Sequence, residues 1–424
     1  MNSNDVQSQQ QQPTILMVAL EFPPCHSAGV QRTLHFAQHL HRSGWRVIVL
    51  TVQPRVYSAL DEQVEVDPGV HVYRTFALDS ARDLAIKGKY FGWSKVPDRW
   101  WSWALTAVGK GRKLIRQYQP DVLWSTYPAI TAHFIAWRLH RHSGLPWVAD
   151  YRDPMQSHYD DNARQYSGVA RWIEKQTVNC AEKLVFTTAE ASLLYQTLYP
   201  QQPATRFATI QNGYDEASFN DLPNVTPLPQ DKLVLLHSGS VYANGRDPSL
   251  LFDALGRLKQ QGIVNAENFL LVFRGQKNDR LYRTKLEQLD ITELVSFRAG
   301  IPYLESLAEM QTAGALLIIQ GPLFSNQIPG KVFDCLRVGK PILALTPAQG
   351  STANLLASVA GCHIAADTGE METCIKALMG HSDPASLEEP LSAPALETHS
   401  RRAKGEQLNT LLKSVTGKEV SNRV

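Results

Sequence analysis

Short apolar runs alternate with longer stretches whose apolar residues recur three and four positions apart, and the alternation continues through almost the whole chain. The run Thr14-Ile15-Leu16-Met17-Val18-Ala19-Leu20 predicts a buried strand. A loop with Pro23, Pro24 and Gly29 follows. Next come a helix through Leu34, Ala37 and Leu40 that ends at Ser43-Gly44, and a strand over Arg46–Thr51. These three elements make one βαβ unit. Further strands are predicted over Val70–Tyr73, Asp121–Trp124, Trp147–Asp150, Lys183–Phe186 and Phe207–Ile210. A proline-bearing stretch, Leu222–Asp231, breaks the rhythm as a linker would, and Lys232–His237 restarts it. Strands over Phe269–Phe273, Val295–Phe297, Gly314–Ile319 and Pro341–Leu345 complete a second set. Residues Asp383–Pro394 are rich in proline and serine, and a last helix is predicted over His399–Val415.

This alternation argues for α/β layers built on parallel sheets. The expected division is a disordered tail over 1–13, a first domain over 14–221, a second over 231–385 and a C-terminal segment over 386–424. Ligands of open parallel sheets bind outside the carboxyl ends of the strands. A cleft between the halves, lined by Glu21–Gly29 and Ile328–Lys331, is therefore the expected site.

Composition narrows the class. With 424 residues, two or three domains are expected, and 43% hydrophobic with 19% charged residues describes a globular chain. The formal net charge of +2 offers no argument for nucleic acid, and no such partner is expected. Cys25, Cys180, Cys335, Cys362 and Cys374 are scattered without ligand-like spacing, so neither a disulfide framework nor a zinc site is expected. The glutamine-rich start has no secretory pattern and no run of eighteen apolar residues occurs, which points to the cytoplasm.

The stretch Ile328–Pro347 puts Lys331 and Asp334 three positions apart at the start of a predicted helix. They share a face near free N–H groups that suit a phosphate. An exposed ion pair between helix neighbours is the other reading.

Several stretches together resemble the GT-B glycosyltransferases of the large retaining family four (group 1). "ILMVALEFPPCHSAGVQRTLHFAQHLHRSGWRVIVLT" is similar to the family's opening, and "TIQNGYDEASF" to its "I-x-N-G-x-D-x-x-x-F". "SGSVYANGRDPSLLFDAL" is similar to the entry of its nucleotide-binding domain, and "IPGKVFDCLRVGKPILAL" to its donor site. "VADYRDP" is similar to the "D-[FY]-R-D-P" of one branch.

The resemblance implies two Rossmann-like parallel-sheet domains facing a cleft, with the last helix crossing back to the first. It also implies a nucleotide-diphosphate sugar bound mainly by the second domain, a saccharide or lipid-linked acceptor bound mainly by the first, and retention without a metal or other cofactor. Arg246 and Lys331 would be the catalytic cations on the leaving diphosphate. Gly29, Asn212, Gly239, Asn326, Asp334 and Ser351 would line the donor. Asp334 stands at the second glutamate of a Glu-x7-Glu motif whose first is replaced by Asn326. Asn212-Gly213 suits a turn or a left-handed backbone.

On the acceptor side, His133 is either an acceptor-contacting group or a histidine satisfied within a helix. Arg152 and Asp153 either bind acceptor or form a structural ion pair. Between Arg82 and Arg116 nine basic residues are mixed with Tyr90, Phe91, Trp93, Trp100, Trp101 and Trp103. This suits an anionic membrane surface, or else a tryptophan-packed helix with a solvated face. The rivals to a transferase are a GT-B nucleotide-sugar epimerase and a catalytically silent nucleotide-sugar binder.

Overall fold

A computed structural model of the chain describes residues 12–27, 29–85, 95–155, 168–241, 245–275, 280–380 and 392–418. It divides into two compact units. The first comprises residues up to Thr187, Ala191–Ile210 and Gly405 onward, and the second Thr188–Glu190 with Gln211–Lys404.

In the first unit, strands β1 (Thr14–Val18), β2 (Arg46–Val52), β3 (His71–Thr75), β4 (Val122–Thr126), β5 (Trp147–Arg152), β6 (Lys183–Phe186) and β7 (Phe207–Thr209) form one sheet. Its order is β3-β2-β1-β4-β5-β6-β7, with every pairing parallel. Leu16 and Val18 point into one apolar layer, Ile15 and Met17 into the other. Helices cover both faces, which is why these strands read as continuous apolar runs rather than alternating ones. Leu408 and Leu412 of the last helix, Arg401–Thr416, fill the second layer, and Asn409 accepts from Trp45 Nε1 at 2.9 Å.

The second unit holds β8 (Leu233–Ser238), β9 (Phe269–Arg274), β10 (Val295–Arg298), β11 (Ala315–Ile319), β12 (Ile342–Leu345) and β13 (Cys362–Ala365), in the order β10-β9-β8-β11-β12-β13, all parallel. Two parallel doubly covered sheets are the architecture expected of the sequence. All twelve predicted strands are present, and β13 is an addition.

Residues 211–221, assigned to the first half from sequence, group with the second unit. The cause is packing. Tyr214 is 2% exposed among Leu228, Val332 and Phe333, and its backbone bonds to His399 and Arg401 at 3.1 and 2.8 Å. Asn212-Gly213 is neither a left-handed backbone, since neither residue has a positive φ, nor part of a turn. A Cβ on Gly213 would lie 2.5 Å from the His399 carbonyl oxygen, so the glycine is required by a close backbone approach.

Candidate functional site

In the second unit, β8 ends in His237-Ser238-Gly239, a polar end to an apolar strand. Gly239 takes φ +134°, a conformation side chains rarely adopt. His237 is wholly buried, and its Nδ1 lies 3.0 Å from the Leu317 carbonyl. That carbonyl holds the proton on Nδ1, leaving Nε2 as an acceptor facing Lys331 Nζ at 3.2 Å. Lys331 Nζ also lies 3.4 Å from the Ser238 carbonyl oxygen and 3.6 Å from where a Gly239 Cβ would be.

Lys331 stands in the first turn of the helix Gly330–Val338. Pro329 precedes it and no side chain caps the free N–H groups. Burial pulls the Lys331 pKa down to about 7. The Cys335 thiol opposes this fall, and the Arg246 guanidinium adds to it. The same burial, with the Lys331 charge next, holds the His237 imidazole well below its ordinary range. The sequence motif therefore brings Arg246 and Lys331 within electrostatic reach of one another. Among the described residues no carboxylate pairs with Lys331. An anion placed there would restore its charge.

Asp334 does not form the ion pair that an i, i+3 spacing suggested. Its Oδ1 accepts from Tyr303 Oη at 3.1 Å, and the side chain is buried. Burial pushes its pKa up to about 6, against the lowering effects of Arg401 and the Tyr303 hydroxyl. The loop before the helix is fastened by Gln320, whose Nε2 donates to the carbonyls of Phe324 (2.7 Å) and Gln327 (2.9 Å). Within it, the Asn326 carbonyl accepts from Thr188 Oγ1 at 2.6 Å, and the buried Ser325 hydroxyl has no partner among the described residues. Ser351 starts the helix Ser351–Leu356. Its N–H donates to the Ser325 carbonyl at 2.7 Å and its hydroxyl to Glu190 at 2.6 Å.

In the first unit, the carboxyl ends of β1, β4 and β5 gather a second set of charges. Arg32 and Asp150 form a buried two-pronged pair at 3.0 and 2.8 Å, and Thr126 Oγ1 donates to the same carboxylate at 2.9 Å. Arg152 has φ +57° at a register break in β5, and it pairs with Glu21 at 3.2 Å. A positive φ on a non-glycine residue is uncommon and tends to cluster at functional sites. Arg152 and Asp153 are thus not the ion pair weighed from sequence. Burial raises the Asp153 pKa against the pull of Arg152 and Arg32. A Cβ on Gly29 would collide with the Glu21 carboxylate and lie 2.6 Å from Arg152. Gly29 admits that pair, while Ala28 lies outside the described residues.

His133 departs from its acceptor-side assignment. It is wholly buried in the helix Ile130–Ser143, with Nδ1 2.7 Å from Ser125 Oγ, and burial takes its pKa down to about 3. The alternative reading, a core histidine, is the one the structure matches. In the Arg82–Arg116 stretch, Trp103 is fully buried, Arg82 pairs with Asp83, Arg99 with Asp79, and Lys110 lies over the Tyr73 ring. Lys87, Lys89, Tyr90, Phe91 and Trp93 lie outside the described residues. Sequence reasoning missed His237, Glu21, Glu190 and Tyr303. Only His237 had a local signal, as a histidine closing an apolar run.

The paired parallel sheets define a GT-B fold. Residues 28–213 match the model of the glycosyl transferase 4-like domain family. Among solved structures it is similar to sucrose-phosphate synthase from Thermosynechococcus elongatus, at 14% identity over 96% of this chain and 100% of that one, with a TM-score of 0.67. Anabaena HepE in complex with UDP matches at 14% identity over 95% and 100% of the two chains, TM-score 0.61. The lipopolysaccharide outer core galactosyltransferase WaaB matches at 11% identity over 95% and 99%, TM-score 0.59. A comparison with curated protein sequences finds no match.

Proposed function

We propose that the protein transfers a sugar, with retention, from a nucleotide-diphosphate sugar to a saccharide or lipid-linked acceptor during surface polysaccharide or glycolipid synthesis. The observation that carries this reading is Lys331. It is a half-buried cation on an uncapped helix N-terminus, held among the described residues by a neutral imidazole and a carbonyl, with Arg246 near enough to disfavour its charge. With Arg246 beside it, Lys331 offers a diphosphate positive charge that stabilises the charge growing on it as the sugar leaves. This supply of positive charge is the role a metal would otherwise fill, so transfer proceeds without one. Gly239 gives the diphosphate room, and Asp334, steadied by Tyr303, accepts from the ribose. Asn212, Asn326 and Ser351 complete the donor surface of the second unit. Arg152 and Asp153, with Glu21, face the acceptor. The enzyme works at the inner face of the membrane, where the segment 82–116 meets anionic lipid.

Lys331→Ala and Arg246→Ala should each lower turnover by on the order of 10²-fold or more in a transfer assay over nucleotide sugars. Near-wild-type turnover in both would remove the assignment. NMR of the product should show the donor's anomeric configuration kept. Inversion would overturn retention, and an epimerised nucleotide sugar without transfer would make the protein an epimerase.

A further inference from the structure

Three helices of the first unit, Trp103–Tyr118, Ile130–Ser143 and Gly168–Cys180, pack side by side in that order. Their inner faces, with Trp103, Leu114, Ile135, Leu139 and Ile173, enter the core. Their outer residues have an uneven charge. Lys113, Arg116, Arg138, Arg141, Arg171 and Lys175 are exposed, while the one acid in all three helices, Glu174, is wholly buried. In a chain whose formal net charge is +2, this gathers cations on one surface. Apolar residues stand among them: Leu105 is 75% exposed, Val169 47% and Trp172 44%. The Trp172 ring is not loose. It meets Trp137 edge-on at 5.0 Å between centroids, and Phe134 lies 6.4 Å from it.

We propose that this three-helix face is a docking surface for an anionic lipid bilayer. Trp172, Val169 and Leu105 enter the interfacial layer, and the six cations meet headgroup phosphates. Charge complementarity selects an anionic partner. The exposed tryptophan and aliphatic residues beside the cations favour a bilayer over a nucleic acid, whose backbone offers nothing apolar to bury. The inference rests on the reading that the protein works at a membrane. It keeps Leu105, Lys113 and Arg116 of the segment 82–116, leaves out its Arg82 and Arg99, which are already paired, and extends the contact to Lys175.

The test is co-sedimentation of the full chain with vesicles of phosphatidylglycerol mixed with phosphatidylcholine, against phosphatidylcholine alone. The variant Arg138→Glu/Arg141→Glu/Lys175→Glu alters only exposed side chains, and an unchanged melting temperature would show that it folds. Wild type should sediment with the acidic vesicles, less so in high salt, and the variant should bind at least roughly tenfold more weakly. A second variant, Leu105→Ser/Trp172→Ser, should lose binding that persists in salt. If wild type binds and the charge variant binds equally, the face is wrong and the membrane reading stands. If wild type ignores acidic vesicles, or binds only nucleic acid, both fall.

Discussion

Asp334 and Lys331 are displaced from their ordinary titration in opposite senses, and each has a consequence for stability. Asp334 holds its proton up to about pH 6 in the folded protein, against about 3.8 for the free group. The folded state therefore binds more protons across that window. The stability this gives is full below about pH 3.8 and is lost as pH rises through 6. Asp334→Asn keeps the shape and an acceptor for Tyr303 while removing the buried charge. It should melt higher than wild type above pH 6 and alike below pH 4, followed by circular dichroism across that range. A variant that melts lower at neutral pH would mean that an ionised Asp334 is held by more than Tyr303 and Arg401. Lys331 runs the other way. Its contribution is present above the free-lysine value of 10.5 and is lost as pH falls through 7. Near neutral pH the unliganded site therefore holds a Lys331 charge that burial disfavours and that an anionic ligand would favour, while the Asp334 carboxylate gains nothing from that anion.

Among elements, what the sequence made legible depended on how local the cause was. Strands β1, β2, β6 and β11 are apolar runs buried on both faces, so periodicity alone located them. β13 escaped because Cys362, His363 and Ile364 are only half-buried at a sheet edge, and with Ala365 they make a four-residue strand with no apolar run. The Lys331 helix was legible from Pro329 before it and Gly339, at φ +74°, after it. Its partners were not, because His237 lies 94 positions away in sequence. Gly213 was misread for the same reason, since what it makes room for is the distant backbone of His399–Arg401. Gly213→Ala should accordingly cost about 1–3 kcal/mol in urea unfolding, as overpacking against rigid backbone does. Gly330→Ala, with open space around its added methyl, should cost nothing measurable. Equal losses at the two sites would refute the packing account of Gly213.

For the whole molecule, the last helix decides how the units are completed. Its first residues, Arg401–Lys404, group with the second unit, and from Gly405 onward it belongs to the first. A chain ended after Lys404 should retain the second unit but leave the apolar layer around Trp45 without Leu408 and Leu412. It should then bind a hydrophobic dye and lose its tryptophan near-ultraviolet dichroism, while a chain ended at Lys418 should do neither. The same connectivity sets a timetable during synthesis. The unit begun first is finished last, because the ribosome must make all of Gln211–Lys404 before the closing helix emerges. At about 5–20 residues per second that wait is about 10–40 s. Throughout it, one side of a seven-stranded sheet waits for its final covering, a period when a chaperone would find most to hold.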